Sequence, residues 1–124
     1  MFIDISIIIC SHNGEKTIRE CLSSLNNQEL VDNRSIQIIL IDSGSTDLTH
    51  KLMNDYKSKN QKLNYYIDVF QLEKPGQSLA LNSAIKYAHG RMLLFTDDDC
   101  LLDPKWIYSY YEAFIHINNA SYLF

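Results

Sequence analysis

Three consecutive aspartates, Asp97, Asp98 and Asp99, are the residues of this 124-residue chain whose type and spacing speak most directly of chemistry. Carboxylates held side by side repel one another unless a cation lies between them. A hard divalent ion, Mg²⁺ or Mn²⁺, takes oxygen ligands and leaves coordination positions open for the oxygens of a diphosphate. The run follows Met92–Thr96 (MLLFT) directly, so a strand end rather than a free loop tip holds it. Alternate side chains of an extended segment share a side, which points Asp97 and Asp99 the same way. The same run also fits a solvated acidic turn that caps the next helix.

Other polar residues stand at similar punctuation points. His12 and Asn13 close an apolar run, where a flat ring could stack on a nucleobase and an amide could read a polar edge. Asp42, in LIDSGSTD, could accept a hydrogen bond from a base or ribose. Equally, it could close an Asx turn, a role open to Ser45 and Asp47 too. Lys74 and Gln77 flank Pro75-Gly76, a cation and an amide able to reach phosphate or ribose from what is otherwise a solvated turn.

These positions depend on the elements between them. Ile5–Cys10 (ISIIIC), Ile36–Ile41 (IQIILI), Asn64–Phe70 (NYYIDVF) and Met92–Thr96 read as short strands, the first buried on both faces and the last buried. A capping box, Thr17-x-x-Glu20, precedes a helix with Ile18, Cys21, Leu22 and Leu25 on one face. Leu48, Leu52 and Tyr56 recur at helical spacing. After Lys74-Pro75-Gly76 a third helix turns Leu81, Ala84, Ile85 and Ala88 inward, with Gly90 as its stop. Asp103-Pro104 supplies an N-cap and first-turn proline for a fourth, with Ile107, Tyr110, Tyr111 and Phe114 in a stripe. Strand and helix alternate throughout, which implies an α/β fold: a mostly parallel sheet with helices on both faces. Right-handed crossovers place all strand carboxyl ends along one edge, where ligands of open α/β sheets bind. His12-Asn13, Asp42 and Asp97–Asp99 then converge on one rim.

Bulk properties narrow the classes. Residues 1–124 suit a single domain. A net charge of -4 leaves no basic footprint for nucleic acid. Three cysteines (Cys10, Cys21, Cys100) without a CxxC pair argue against a disulfide framework or zinc site and for a cytoplasmic setting. The opening MFIDISIIIC lacks a basic n-region and carries Asp4, unlike a signal peptide, and no apolar stretch is long enough to span a bilayer. Peripheral association with the inner membrane face remains compatible. Neither GxGxxG nor GxxxxGK[ST] occurs, so a diphosphate would have to be held by a metal rather than a glycine cradle. A nucleotidyltransferase would carry a basic glycine-rich loop where SHNGEKT stands, and a phospho-receiver domain an acidic pair where His12-Asn13 stands.

Along almost its whole length the chain resembles the family-2 inverting glycosyltransferases of the GT-A fold. The resemblance lies in ISIIICSHNGEKTIRECLSSLNNQ, in IILIDSGSTDLTHKL, and in EKPGQSLALNSAIKYAHGRMLLFTDDDCLLDPKW, in that order. It implies transfer of a sugar from a nucleotide-diphosphate sugar, foremost a UDP-sugar, to a glycan or lipid-linked acceptor in cell-envelope polysaccharide synthesis. By that resemblance His12 packs on the uracil, Asn13 falls on a frequent asparagine and Asp42 contacts the nucleoside. Asp97 and Asp99 match the ends of the Asp-x-Asp motif, Asp99 as the principal ligand of Mn²⁺ or Mg²⁺ and Asp97 nearer the ribose. Leu81 stands where many members have arginine, Ser43 where a second aspartate is common, and Cys10 where proline is common. The family's catalytic domain continues beyond the length seen here, into an acceptor site and an acidic general base. Asp103 and Glu112 do not match that base, so none is assigned. The alternative expectation is a shortened, non-catalytic nucleotide-sugar-binding module.

Overall fold

The computed structural model describes residues 3–29, 33–62 and 64–121, with side chains described as far as residue 117. Four strands, β1 (Ile3–Ser11), β2 (Ile36–Ser43), β3 (Tyr65–Leu72) and β4 (Gly90–Asp97), alternate with four helices, α1 (Ile18–Asn26), α2 (Thr49–Lys59), α3 (Gln77–Tyr87) and α4 (Trp106–Ser121). The sheet order is β3-β2-β1-β4, and all three pairings are parallel. The α/β expectation therefore holds, with a wholly rather than mostly parallel sheet.

Central strands must be apolar on both sides, and β1 and β2 are. Ile5, Ile7, Ile9, Ile36, Ile38 and Leu40 join one core with Ile18, Cys21, Leu22 and Leu25 of α1, Met53 and Tyr56 of α2, and Ile107 and Tyr111 of α4. On the opposite face Ile8, Ile39 and Ile41 pack on Ala80 and Ala84 of α3. Each fully buried isoleucine contributes about 1.5–3 kcal/mol through apolar surface removed from water. Two alanines let the α3 backbone lie close against the sheet. Among the described residues no helix is long and apolar enough to cross a membrane.

Several local expectations are corrected. The capping box does not form: Thr17 makes no side-chain cap bond, and its hydroxyl instead donates to the Gly14 carbonyl at 3.4 Å. In α2 the buried stripe is Thr49, Met53 and Tyr56, while Leu48 is 56% exposed, because Leu48 precedes the helix as its N-cap. Ile85 and Tyr110 are exposed, since α3 and α4 each meet the sheet along a narrow stripe. The fourth strand, at the edge of the sheet among the described residues, is buried on one face only: Met92 and Leu94 are buried, whereas Leu93 and Phe95 alternate with them and are exposed.

Gly90 is not a helix stop. The third helix ends at Tyr87, with an extended Ala88 as C-cap, and Gly90 is the first residue of β4. A Cβ there would lie 2.6 Å from Ser6 Oγ and 2.7 Å from the Ile5 carbonyl carbon. The close approach lets Gly90 N–H donate to Ser6 Oγ at 2.8 Å, while Ser6 Oγ donates to Gln37 Oε1 at 2.7 Å. Gln37 Oε1 also accepts from His89 N–H at 3.0 Å, and its amide donates to the Tyr87 carbonyl at 2.9 Å. This buried network fixes where α3 stops and β4 begins. Gly90→Ala is expected to lower unfolding stability by about 1–3 kcal/mol through overpacking, measured by urea denaturation. An unchanged midpoint would show that the close approach is not required.

Candidate functional site at the carboxyl edge of the sheet

Parallel pairing sets the strand ends level. Ser11 of β1 pairs with Asp42 of β2, and Cys10 pairs with Asp97 of β4. Above these ends lies a cavity of about 760 Å³, lined among others by Ser11, His12, Ser43, Gly76, Gln77, Leu81, Phe95 and Asp97 through Cys100. Of the sequence candidates, His12, Gln77, Asp97, Asp98 and Asp99 line it, while Asn13, Asp42 and Lys74 do not.

Each candidate has a distinct setting. His12 is exposed, and its Nδ1 lies 2.7 Å from the Ser43 carbonyl oxygen. A carbonyl only accepts, so Nδ1 carries the ring proton and Nε2 accepts from Asn13 Nδ2 at 3.3 Å. The ring is thereby fixed across the ends of β1 and β2. Asn13 takes a positive φ of 51°, which asparagine tolerates better than most residues. Its carbonyl oxygen accepts from Thr46 N–H at 2.8 Å, and its own N–H donates to Ser45 Oγ at 2.8 Å. Asn13 thus clamps the turn after β2.

Asp42 is fully buried. Its carboxylate accepts from Ser45 N–H at 3.1 Å and from Gln71 Nε2 at 3.4 Å, with His50 Nδ1 at 3.6 Å. The Asx-turn geometry is therefore present. Asp47, in the same turn, has its carboxyl held below the usual range. Desolvation, the largest single influence, opposes this, and hydrogen bonds from the Thr49 hydroxyl, the Thr49 N–H and the Glu15 N–H outweigh it.

Gly76 N–H donates to Ser43 Oγ at 3.0 Å, bringing the first turn of α3 to the cavity. Gly44, at φ +64°, lies against Pro75, where a Cβ would meet the proline nitrogen at 2.6 Å. Only glycine combines that backbone with that contact. Lys74 is exposed just outside.

The acidic run bends rather than continuing extended. Cys100 N–H donates to the Asp97 carbonyl at 3.4 Å, closing a turn, and a second tie runs from Ser11 Oγ to Asp98 Oδ2. Asp98 is thereby turned toward β1, while Asp97 and Asp99 stay exposed. Ligand-type atoms of Asp97, Asp99 and Cys100 lie within 4.8 Å of one another. Two carboxylates and a thiol in that space are a donor set a divalent cation can use. Asp97 and Asp99 do share a side, through a turn rather than through strand alternation.

Residue order alone does not single out Ser11 or the place of Cys100. The signal for Ser11 was its position one residue before His12 at a strand tip. For Cys100 it was the i, i+3 spacing to Asp97.

With this geometry, residues 6–123 match the model of Glycosyl transferase family 2, and the chain belongs to that family. Its sheet and helices have the GT-A layout. It is 35% identical over 108 residues to the poly(ribitol-phosphate) beta-glucosyltransferase of Bacillus spizizenii, covering 87% of this chain and 17% of that protein. With the poly(ribitol-phosphate) beta-N-acetylglucosaminyltransferase TarS of Staphylococcus aureus the identity is 32% over 100 residues, covering 81% and 17%. The solved S. aureus TarS 1–349 in complex with UDP-GlcNAc aligns with a TM-score of 0.75 at 30% identity, covering 92% of this chain and 31% of that one. A mannosyltransferase of Pyrobaculum calidifontis, solved with GDP-Man and Mn²⁺, aligns with a TM-score of 0.73 at 22% identity, covering 85% and 30%. That last likeness is one of fold alone. The chain spans 17% of the length of both curated relatives.

Cys10 lines the cavity, and burial pushes its thiol up to about 11. A thiol with a pKa of about 8.5 is already mostly ionised at pH 9 and gains less than about twofold by pH 10. The alkylation rate of Cys10, followed by peptide mass spectrometry, is therefore expected to rise about ninefold between pH 9 and 10. A rise of less than about twofold would contradict its buried setting.

Proposed function

We propose that the chain is the donor-binding part of a glycosyltransferase that takes a nucleotide-diphosphate sugar, foremost a UDP-sugar. The observation that carries this reading is the single cavity at the strand ends, with an exposed aromatic ring on one side and two exposed carboxylates on the other. His12, fixed by Ser43, offers its ring face to the base. Asn13 and Asp42 act from behind, holding the turn after β2 that walls the nucleoside side. Gln77 at the start of α3 faces the phosphates, where the helix's positive end favours negative charge; Lys74 adds a cation at the mouth. Asp97 is placed beside the ribose, and Asp98 keeps the acidic turn seated on β1.

Asp97 and Asp99 would hold Mn²⁺ or Mg²⁺, Asp99 as the principal ligand. When bound, such an ion neutralises charge on the diphosphate that departs. The family's reaction in this reading is inverting, with displacement at the anomeric carbon. The acceptor class is a glycan, a lipid-linked chain or an envelope polymer, as the names of the teichoic-acid relatives suggest. We place the protein in the cytoplasm, at the inner face of the membrane. No residue of this chain is assigned as the general base, because Asp103 accepts from Lys105 N–H at 2.8 Å as a helix cap and Glu112 is exposed on α4.

The test is calorimetry with UDP-, GDP- and TDP-sugars, with and without Mn²⁺. Asp99→Ala is expected to weaken metal-dependent donor binding by more than tenfold, about 1.4 kcal/mol or more. Its thermal melt should barely move, because Asp99 is exposed. Equal affinity in that variant would overturn the metal assignment.

A further inference from the structure

The turn at the end of β4 does more than display two carboxylates. Its fourth residue comes back beside its first, because Cys100 N–H donates to the Asp97 carbonyl at 3.4 Å. Asp98, the middle carboxylate, accepts from Ser11 Oγ through Oδ2. Also facing the cavity is a group of two oxygens and one sulfur, on Asp97, Asp99 and Cys100, within 4.8 Å of one another. Cys100 itself lines that cavity and is only partly buried. Its thiol lies 4.0 Å from Asp99 Oδ1, a weak contact that a cation would replace at little cost.

We propose that Cys100 is a third ligand of the divalent cation at Asp97 and Asp99, and that its sulfur makes the site discriminate in favour of thiophilic ions. The proposal rests on the metal reading of that pair of aspartates. Carboxylates are hard donors that suit Mg²⁺ and Mn²⁺, whereas a thiolate is soft and adds affinity for Zn²⁺ or Cd²⁺. On binding, a sulfur–metal bond forms as the S–H proton passes to solvent, with no change of oxidation state. A serine at position 100 would present a hard oxygen from a shorter side chain and lose that discrimination. Cys10 lines the same cavity but lies outside the group, which supplies an internal control.

The experiment titrates the 124-residue chain and its C100S, C10S and D99A variants with Cd²⁺ and with Mg²⁺. Cd²⁺ binding is followed by the sulfur-to-metal charge-transfer absorption in the ultraviolet, and Mg²⁺ by calorimetry. The unsubstituted chain and C10S are expected to show the band. C100S should lose it, with Cd²⁺ affinity falling at least about tenfold and Mg²⁺ affinity changing less than about twofold. In the unsubstituted chain, saturating Cd²⁺ should also protect Cys100 from alkylation, a readout that needs no substitution. An unchanged band and affinity in C100S, or a band lost in C10S instead, would overturn the proposal. If D99A abolishes Mg²⁺ binding while C100S leaves Cd²⁺ binding intact, the two-aspartate reading stands and the role of Cys100 falls. If neither ion binds the unsubstituted chain, both fall together.

Discussion

Level strand ends are the constraint on which everything else here depends. Parallel pairing of β1 with β2 and β4 sets Ser11 beside Asp42 and Cys10 beside Asp97. A parallel sheet must be covered on both faces, and the isoleucines of β1 and β2 meet that demand from each side. A one-residue slip of β4 would exchange Met92 and Leu94 with Leu93 and Phe95 and turn Asp97 to the other face. Burial of the core and placement of the acidic turn are thus one requirement.

Around that edge the polar residues divide into those that face the cavity and those that hold them in place. Ser11 seats Asp98, Ser43 holds both the His12 ring and the first turn of α3, and Asn13 clamps the turn after β2. Asp42 lies behind this wall, accepting from a turn N–H and from Gln71 of β3, with His50 of α2 nearby at 3.6 Å. Such preorganisation is what a charged ligand needs, because polar groups already fixed lose little entropy on binding. It also leaves Asp97 and Asp99 without hydrogen-bonded cations of their own among the described contacts.

Much of this was legible from residue order alone. Short β-branched runs alternating with amphipathic segments implied the parallel α/β layout, and polar residues just after those runs implied the rim. What periodicity did not convey was tertiary choice. Phe95 and Leu93 read as buried because nothing local distinguishes an edge strand from a central one. Gly90 read as a helix stop because its real reason, the approach to Ser6, lies 84 residues away in sequence. The capping box failed because Thr17 turned its hydroxyl to Gly14. In the site, the position of the acidic run at the end of β4 followed from residue order, whereas the partnership of Asp98 with Ser11 was invisible, being a contact between two different strand tips.

If three strand tips and the start of α3 form one receptor for one ligand, titrating a UDP-sugar into the protein, with Mn²⁺ replaced by diamagnetic Mg²⁺, will shift backbone amides of all four segments together in ¹H–¹⁵N NMR spectra. Perturbations are expected at residues 11–14, 43–46, 76–78 and 96–100, saturating with a single affinity. Shifts confined to one of these segments, or centred instead on a cavity between α1 and α2 near Arg19 and Tyr56, would contradict it.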